Sequence, residues 1–475
     1  MEEILRSVND FIWGVPALAL ILGVGLYLSF LTKFAQIRLL PKALGRLRQM
    51  LLGGTSEDSF KALCTALAAT VGTGNIAGVA GAIALGGPGS LFWMWICGVF
   101  GMVTKYAEAV LSVVYRGKNP AGEPLAGPMY MIREGMGSKF HWLGVLYCLF
   151  GCLAAFGMGN ATQVNAVVES AASAAGFFGR ELPRWGKFAL GACLGILAVW
   201  TMLGGAKRIG NLTSVLVPGA SAAYMLLCLW AIFARMDQIP KAFASIFVGA
   251  MDPKAVTGGL LGSAFVALRV GASRGVFTNE AGMGTAAIAH GTAQPKHPCD
   301  QGLMGILEVF LDTLVICTLT ALVILTSGIS VPYGVDEGAA LTVRAFSAVL
   351  GPWVSVAIAL FLGLFGFATI LGWGFYGIQC ARYLLGDGCE KIFAPVMLLG
   401  SVLGIFLGTG PVWMLSETVN GLMAIPSLLV LAVLSPKVAT LTMQYTKKSV
   451  KRRSFEYQTG KRASIGTVKV SPPLR

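Results

Sequence analysis

The feature that most constrains this chain is its succession of apolar runs, each about as long as a bilayer is thick. A spanning helix needs about 20 mostly apolar residues. Eleven candidate runs occur, roughly at 12–32, 61–86, 89–115, 141–174, 186–204, 209–234, 256–290, 301–327, 341–380, 392–408 and 412–435. Charged residues make up only 12% of the sequence, against about 25% in a soluble domain. That is too few to cover a water-facing surface, and disorder would need the opposite composition. The 62 glycines show no three-residue period, so a collagen-like chain is excluded as well. An all-α polytopic membrane protein remains. The opening stretch MEEILRSVND is acidic, and no clean cleavage site follows, so the first run reads as a retained span.

Charge gives the orientation. Ten Lys/Arg and one acid fall between Lys437 and Arg475, a basic tail that the positive-inside rule places in the cytoplasm. Eleven spans then put the N-terminus outside. The first connector, with Lys33, Arg38, Lys42, Arg46 and Arg48, falls inside, as do the 116–139 connector and Lys207/Arg208. The 179–187 connector, expected outside, carries three cations against one acid and runs mildly against the rule. The ten cysteines form no CxxC pair and mostly sit inside apolar runs, as small buried hydrophobes do. Three histidines without metal-ligand spacing, and no cluster of catalytic groups, argue against an enzyme.

The spans divide into an N-terminal helix with its basic connector (1–58), a first five-span block (59–235), a second (236–436) and the tail (437–475). Five is odd, so the second block enters from the opposite side, the arithmetic of an inverted repeat. The leading span of each block is interrupted by glycine. The first reads Thr70-Val-Gly-Thr-Gly-Asn-Ile-Ala-Gly78, the second Val270-Gly-Ala-Ser-Arg-Gly-Val-Phe-Thr-Asn-Glu-Ala-Gly-Met-Gly284. Glycines weaken a helix by about 1 kcal/mol each. Backbone groups freed at membrane depth persist only where they line a cavity or bind something. A half-helix N-terminus favours a carboxylate, and freed carbonyls favour a small cation. Close helix packing is the simpler use of such glycines, but Asn75 beside them needs partners of its own.

Other polar residues lie inside the runs. Asn160, Gln163, Asn165 and Glu169 are on the fourth span, with Asn160 and Gln163 on one face. Thr369 and Trp373 are one turn apart on the ninth. Glu308 and Asp312 share a face of the eighth, with a cation, proton or gate-side structural role. Arg274 and Glu280 are expected to pair with each other or with Lys105 and Glu108.

The stretch ALAATVGTGNIAGVAGAIALGGPGSLFWMWICGVFGMVTKYAEAVLSVVYR, residues 66–116, resembles the signature region of the alanine/glycine:cation symporters, the bacterial and archaeal sodium:alanine symporter family. Gly127-Pro-Met-Tyr130, Gly159-Asn160 with Gln163, Arg274-Gly-Val-Phe-Thr-Asn-Glu-Ala-Gly282, Gln301-Gly-Leu and Leu371-Gly-Trp-Gly also match, and the likeness covers about residues 10–435. The resemblance implies a leucine-transporter-like fold: a five-plus-five inverted repeat and one additional N-terminal helix in a prokaryotic cell membrane. It implies import of small neutral amino acids, mainly alanine and glycine, with Na⁺ (sometimes H⁺) and no other cofactor. Carried over, the substrate site would comprise Thr73, Gly74, Asn75, Gln163, Gly271, Thr278, Asn279 and Trp373, with Trp373 capping the side chain. The Na⁺ site would use carbonyls of Ala68 and Val71 and the Thr369 hydroxyl, hard oxygens for a hard cation. The chain departs from the family at Ala368, where a serine is common, at Gly374 and Phe375, and at Gly81. The alternative within transport is proton-coupled uptake or exchange of a related small amino acid. A channel would show one repeated pore-lining motif rather than two broken helices. The soluble segments are too short for a signalling receptor.

Overall fold

Backbone amides in hydrocarbon must find partners within their own segment, and the helix is the local solution. The computed structural model describes residues 7, 9, 11–54, 57–120, 122–257, 264–335, 338–406 and 409–465. Within them regular structure is helical, apart from an antiparallel hairpin pairing Gly117–Lys118 with Pro124–Leu125 in the 116–139 connector.

Among the described residues seven helices are long and apolar enough to cross a bilayer: Ser90–Val114, Ser138–Phe177, Arg184–Met202, Gly205–Phe233, Pro298–Thr326, Val354–Leu385 and Met414–Lys447. The four other expected runs fold into shorter helices. Val15–Leu31 and Glu390–Phe406 have 17 residues each. The run 61–86 is cut in two by its glycine-rich segment, as is the run 256–290 over its described residues 264–290. Counting Pro16–Leu31 and Ala35–Leu51, bent 79° to each other, as one span raises the seven to eight.

Two expectations change in detail. The 32–57 connector is not loop throughout: Ala35–Leu51 is a helix that buries Ala35, Gln36, Leu39 and Ala43 and exposes Arg38 and Arg48. The spacing of Ala35, Leu39 and Ala43 was its sequence signal. The run 341–380 is two helices, Ala339–Leu350 and Val354–Leu385. Between them Gly351 adopts φ +92° and Pro352 cannot extend the first helix.

The interrupted helices are the most enclosed parts of the molecule. Every residue from Ala62 to Ala84 and from Gly275 to Gly291 is buried. The apolar windows of Arg184–Met202 and Gly205–Phe233 are only 28% and 33% buried, leaving exposed apolar flanks. Outer helices clamp this centre at both ends. Trp13 Nε1 donates to the Glu417 carbonyl at 2.7 Å. Asp300 accepts from Arg46 at 2.7 Å and from Tyr445 at 2.6 Å, and Lys42 Nζ lies 3.7 Å from the centroid of the Tyr445 ring.

Candidate functional site

The first break is built by Asn75. Helix Glu57–Thr70 ends, a 3₁₀ turn Thr73–Asn75 follows, and the helix resumes at Ala77–Gly86. Asn75 Oδ1 accepts the Gly72 N–H at 2.9 Å, satisfying a donor that the helix can no longer pair. Its Nδ2 donates to Asp312 Oδ1 at 2.6 Å. Asp312 lies in a π-helical turn, Phe310–Cys317, and its Oδ2 accepts from Thr313 at 2.8 Å. Asn279 Nδ2 in turn donates to Thr313 Oγ1 at 3.1 Å. One polar chain therefore runs from the first break through Asp312 to the end of helix Ala264–Asn279.

At the second break Glu280, Gly282 and Gly284 have φ of +53°, +89° and +78°. Two N–H groups freed there, of Gly282 and Gly284, donate to Glu108 Oε1 at 2.8 and 3.2 Å. The protein supplies its own carboxylate where freed amides favour an anion. The sequence reading named Glu108 only as an ion-pair partner; its spacing to the glycines is 174 residues or more and carries no local signal.

The two breaks touch. A Cβ on Gly74 would lie 3.0 Å from Thr278 Cγ2. Around this junction Thr73 Oγ1 donates to Gln163 Oε1 at 2.9 Å, and Gln163 Nε2 donates to the Met158 carbonyl at 3.0 Å. A π-helical turn, Gly157–Ala161, precedes Gln163. Asn160, expected on the same face, instead bonds the Met397 carbonyl and accepts from Ser401 at 2.7 Å. It binds helix to helix rather than facing the junction. Trp373 is fully buried, and its Nε1 donates to Glu280 Oε1 at 2.7 Å. Thr369 is 2% exposed, and its hydroxyl has no hydrogen-bond partner among the described residues. That hydroxyl would lie 2.5 Å from a Cβ on Gly72, so it points at the bend beside Val71.

Thr73, Gly74, Asn75, Gln163, Thr278, Asn279, Thr369 and Trp373 thus converge on the two breaks. Ala68 and Val71 are buried in the last turn before the first break. Gly271 is not brought there. It lies two turns before the second break, where a Cβ would meet the Ser90 carbonyl at 2.3 Å and Trp93 Cβ at 2.9 Å. Its missing side chain lets two helices approach closely, the packing use of glycine.

The expected pairing of Arg274 with Glu280 is also replaced. Arg274 meets Glu417 at 3.0 Å, and Lys105 meets Glu308 at 2.8 Å with both side chains fully buried. Glu308 also contacts His290 Nε2 at 3.1 Å, whose Nδ1 lies 2.8 Å from Gln301 Nε2. Glu308 and Asp312, though near in sequence, therefore serve different neighbours.

A cavity of about 450 Å³ opens at one end of the molecule. Lys61, Thr65, Lys207, Phe375, Gln379 and Arg382 are among its lining residues. It stops below the junction, whose side chains are no more than 2% exposed.

The sodium:alanine symporter family profile matches residues 1–459 of this chain. The chain belongs to that family. It is 41% identical over 457 residues to an uncharacterized transporter of Haemophilus influenzae, with 94% of this chain and 97% of that protein covered. It is 40% identical over 452 residues to the sodium/alanine symporter AgcS of Methanococcus maripaludis, at the same two coverages. A probable sodium/glutamine symporter of Bacillus subtilis, GlnT, is 35% identical over 456 residues, covering 94% of this chain and 91% of that protein. The family and these relatives are transporters, so this chain is a multi-pass membrane transporter and not an enzyme. In fold it is similar to the crystal structure of MhsT in complex with L-phenylalanine, with a TM-score of 0.54 at 12% identity, covering 81% of this chain and 97% of that one. That likeness shows a shared fold of the leucine-transporter-like kind.

Proposed function

We propose that this transporter imports small neutral amino acids, alanine and glycine, coupled to Na⁺ by alternating access. The observation that carries the reading is the junction of the two breaks, where Thr73, Asn75, Gln163, Trp373 and a Thr369 hydroxyl without a partner among the described residues meet in a buried interior. A buried hydroxyl without a direct partner is costly. Na⁺ held by Thr369 and the carbonyls of Ala68 and Val71 satisfies it with hard oxygen ligands. The substrate carboxylate and ammonium take the backbone of the breaks, with Thr73, Gly74, Asn75, Thr278 and Asn279 around them. Gln163 faces the substrate, and the Trp373 ring closes the side-chain end.

Within this reading eleven segments cross the membrane, counting each broken helix once. The blocks 59–235 and 236–436 form the inverted repeat, the N-terminus lies outside and the tail inside. The cavity lined by Lys61, Lys207 and Arg382 then opens to the cytoplasm, below a closed site. Na⁺ and amino acid shift the balance between inward and outward states only through their differential affinity for them.

The experiment is uptake of labelled alanine and glycine into proteoliposomes with an inward Na⁺ gradient against a K⁺-balanced control. Na⁺-driven accumulation supports symport. Uptake that follows pH alone, or gradient-independent exchange, removes Na⁺ from the reading and makes Ala368 the first residue to test. The GlnT relationship makes glutamine the first alternative substrate to include.

A further inference from the structure

We propose that Glu280 is a positioning residue that sets the largest substrate side chain by holding the Trp373 indole in one orientation. The inference deepens the proposed function and rests on its reading of Trp373 as the pocket wall. Three observations carry it.

The first is conformational. Glu280 has φ +53°, one of three non-glycine residues with positive φ among the described residues. Glycine or asparagine suits that conformation far better than glutamate. The backbone there is pinned on both sides: Glu280 N–H donates to the Val276 carbonyl at 2.7 Å, and its carbonyl accepts from Met283 at 3.2 Å. A strained residue kept at such a point is kept for its side chain.

The second is the contact itself. Glu280 and Trp373 are both fully buried, and Nε1–H donates to Oε1 at 2.7 Å. A buried indole N–H needs an acceptor, so this bond decides which edge of the ring faces Glu280. Flipping the ring would strand both the donor and the carboxylate oxygen.

The third is the rest of the ring's surroundings. A Cβ on Gly159 would lie 2.1 Å from Trp373 Cβ, so the tryptophan leans directly on the backbone of the 138–177 helix. Tyr376 meets the ring edge-on, with centroids 5.7 Å apart. With its stem against Gly159 and one edge against Tyr376, the indole depends on Glu280 for its remaining orientation.

The test uses the full-length transporter in proteoliposomes. Labelled alanine uptake is competed with unlabelled glycine, alanine, valine and leucine, and folding is checked by size-exclusion chromatography. E280A releases the indole. Leucine then competes at least tenfold better relative to alanine, and alanine KM rises more than the maximal rate falls. E280Q loses the charge near Lys105 but keeps an acceptor oxygen, so it restores the wild-type order of competitors even if uptake is slower. W373F keeps a ring without the N–H, and the double variant W373F/E280A is no more permissive than W373F alone. Two results overturn the inference while leaving the pocket reading in place: W373A broadens selectivity but E280A does not, or E280A and W373F add. W373A that transports alanine with unchanged selectivity removes the wall reading and the inference together. Should E280A fail to fold, the comparison of E280Q with W373F decides: a broadened E280Q overturns the inference.

Discussion

Asn75 and Asp312 share a 2.6 Å hydrogen bond across 237 residues of sequence, joining the first broken helix to a π-helical turn of the 298–326 helix. The same Asn75 caps Gly72 with its oxygen. One amide therefore both shapes the break and ties it to a buried carboxylate. Replacing Asn75 with alanine removes both bonds. Hydrogen bonds to charged groups contribute about 1.5–3 kcal/mol, or roughly a tenfold to hundredfold change in an equilibrium constant. Asn75→Ala is expected to lower alanine kcat/KM by at least tenfold while the purified protein stays monodisperse. Asp312→Asn is expected to be milder for alanine binding than Asp312→Ala, since it can still accept from Asn75. Both are read from initial rates of uptake.

Thr369→Val keeps the shape of the side chain and deletes the hydroxyl that has no partner among the described residues. With Thr369 in the proposed ion site, the expected effect is a rise of about tenfold in the Na⁺ concentration for half-maximal uptake, equivalent to about 1.4 kcal/mol. Thr369→Ser should stay near the parent. A sodium titration of uptake checks both, and equal sodium dependence in Val and Thr forms would remove Thr369 from the ion site.

Gln163→Ala leaves the Thr73 hydroxyl without its acceptor in a buried place. Alanine KM should rise more than the maximal rate falls. Thr73→Val in the Gln163→Ala background should add little, because the pair acts as one unit. A double-mutant cycle on KM measures the coupling.

Lys105→Met leaves Glu308 buried beside His290 without its cation. Breaking a buried pair from one side costs about 3–5 kcal/mol. The thermal midpoint in detergent is expected to fall sharply, and Lys105→Met/Glu308→Leu should recover part of the loss. A thermal shift assay of the three proteins tests this, and an unchanged midpoint in the single variant would show the pair to be solvated.

Gly159→Ala places a methyl group where Trp373 Cβ already stands. The helices must separate, and overpacking of this kind costs about 1–3 kcal/mol. The thermal midpoint and alanine uptake should both fall, and Gly159→Ala/Trp373→Ala should recover the midpoint without restoring selectivity.

Much was legible before the structure. Low charge and long apolar runs require a membrane protein, because every buried amide has to be paired locally and helices do this within one segment. The glycines at 72, 74, 282 and 284 announced the breaks, since backbone conformation is a property of the residue in place. Gly271, by contrast, carried the same letter and proved to be a packing contact with Ser90. The residue type states what a position permits, not which neighbour it meets. The amphipathic 35–51 helix has its apolar spacing inside a basic connector, so charge and helix period overlap in the same residues. The partners of the charges within the spans could not be read at all. Arg274 meets Glu417, Glu108 receives the amides of Gly282 and Gly284, and Glu280 holds Trp373. Those pairings span 93 to 176 residues. Composition and periodicity act over one or two helical turns, and so determined class and breaks. Which side chains meet between the breaks was decided by helix packing, because only the assembled bundle brings such distant segments within hydrogen-bonding reach.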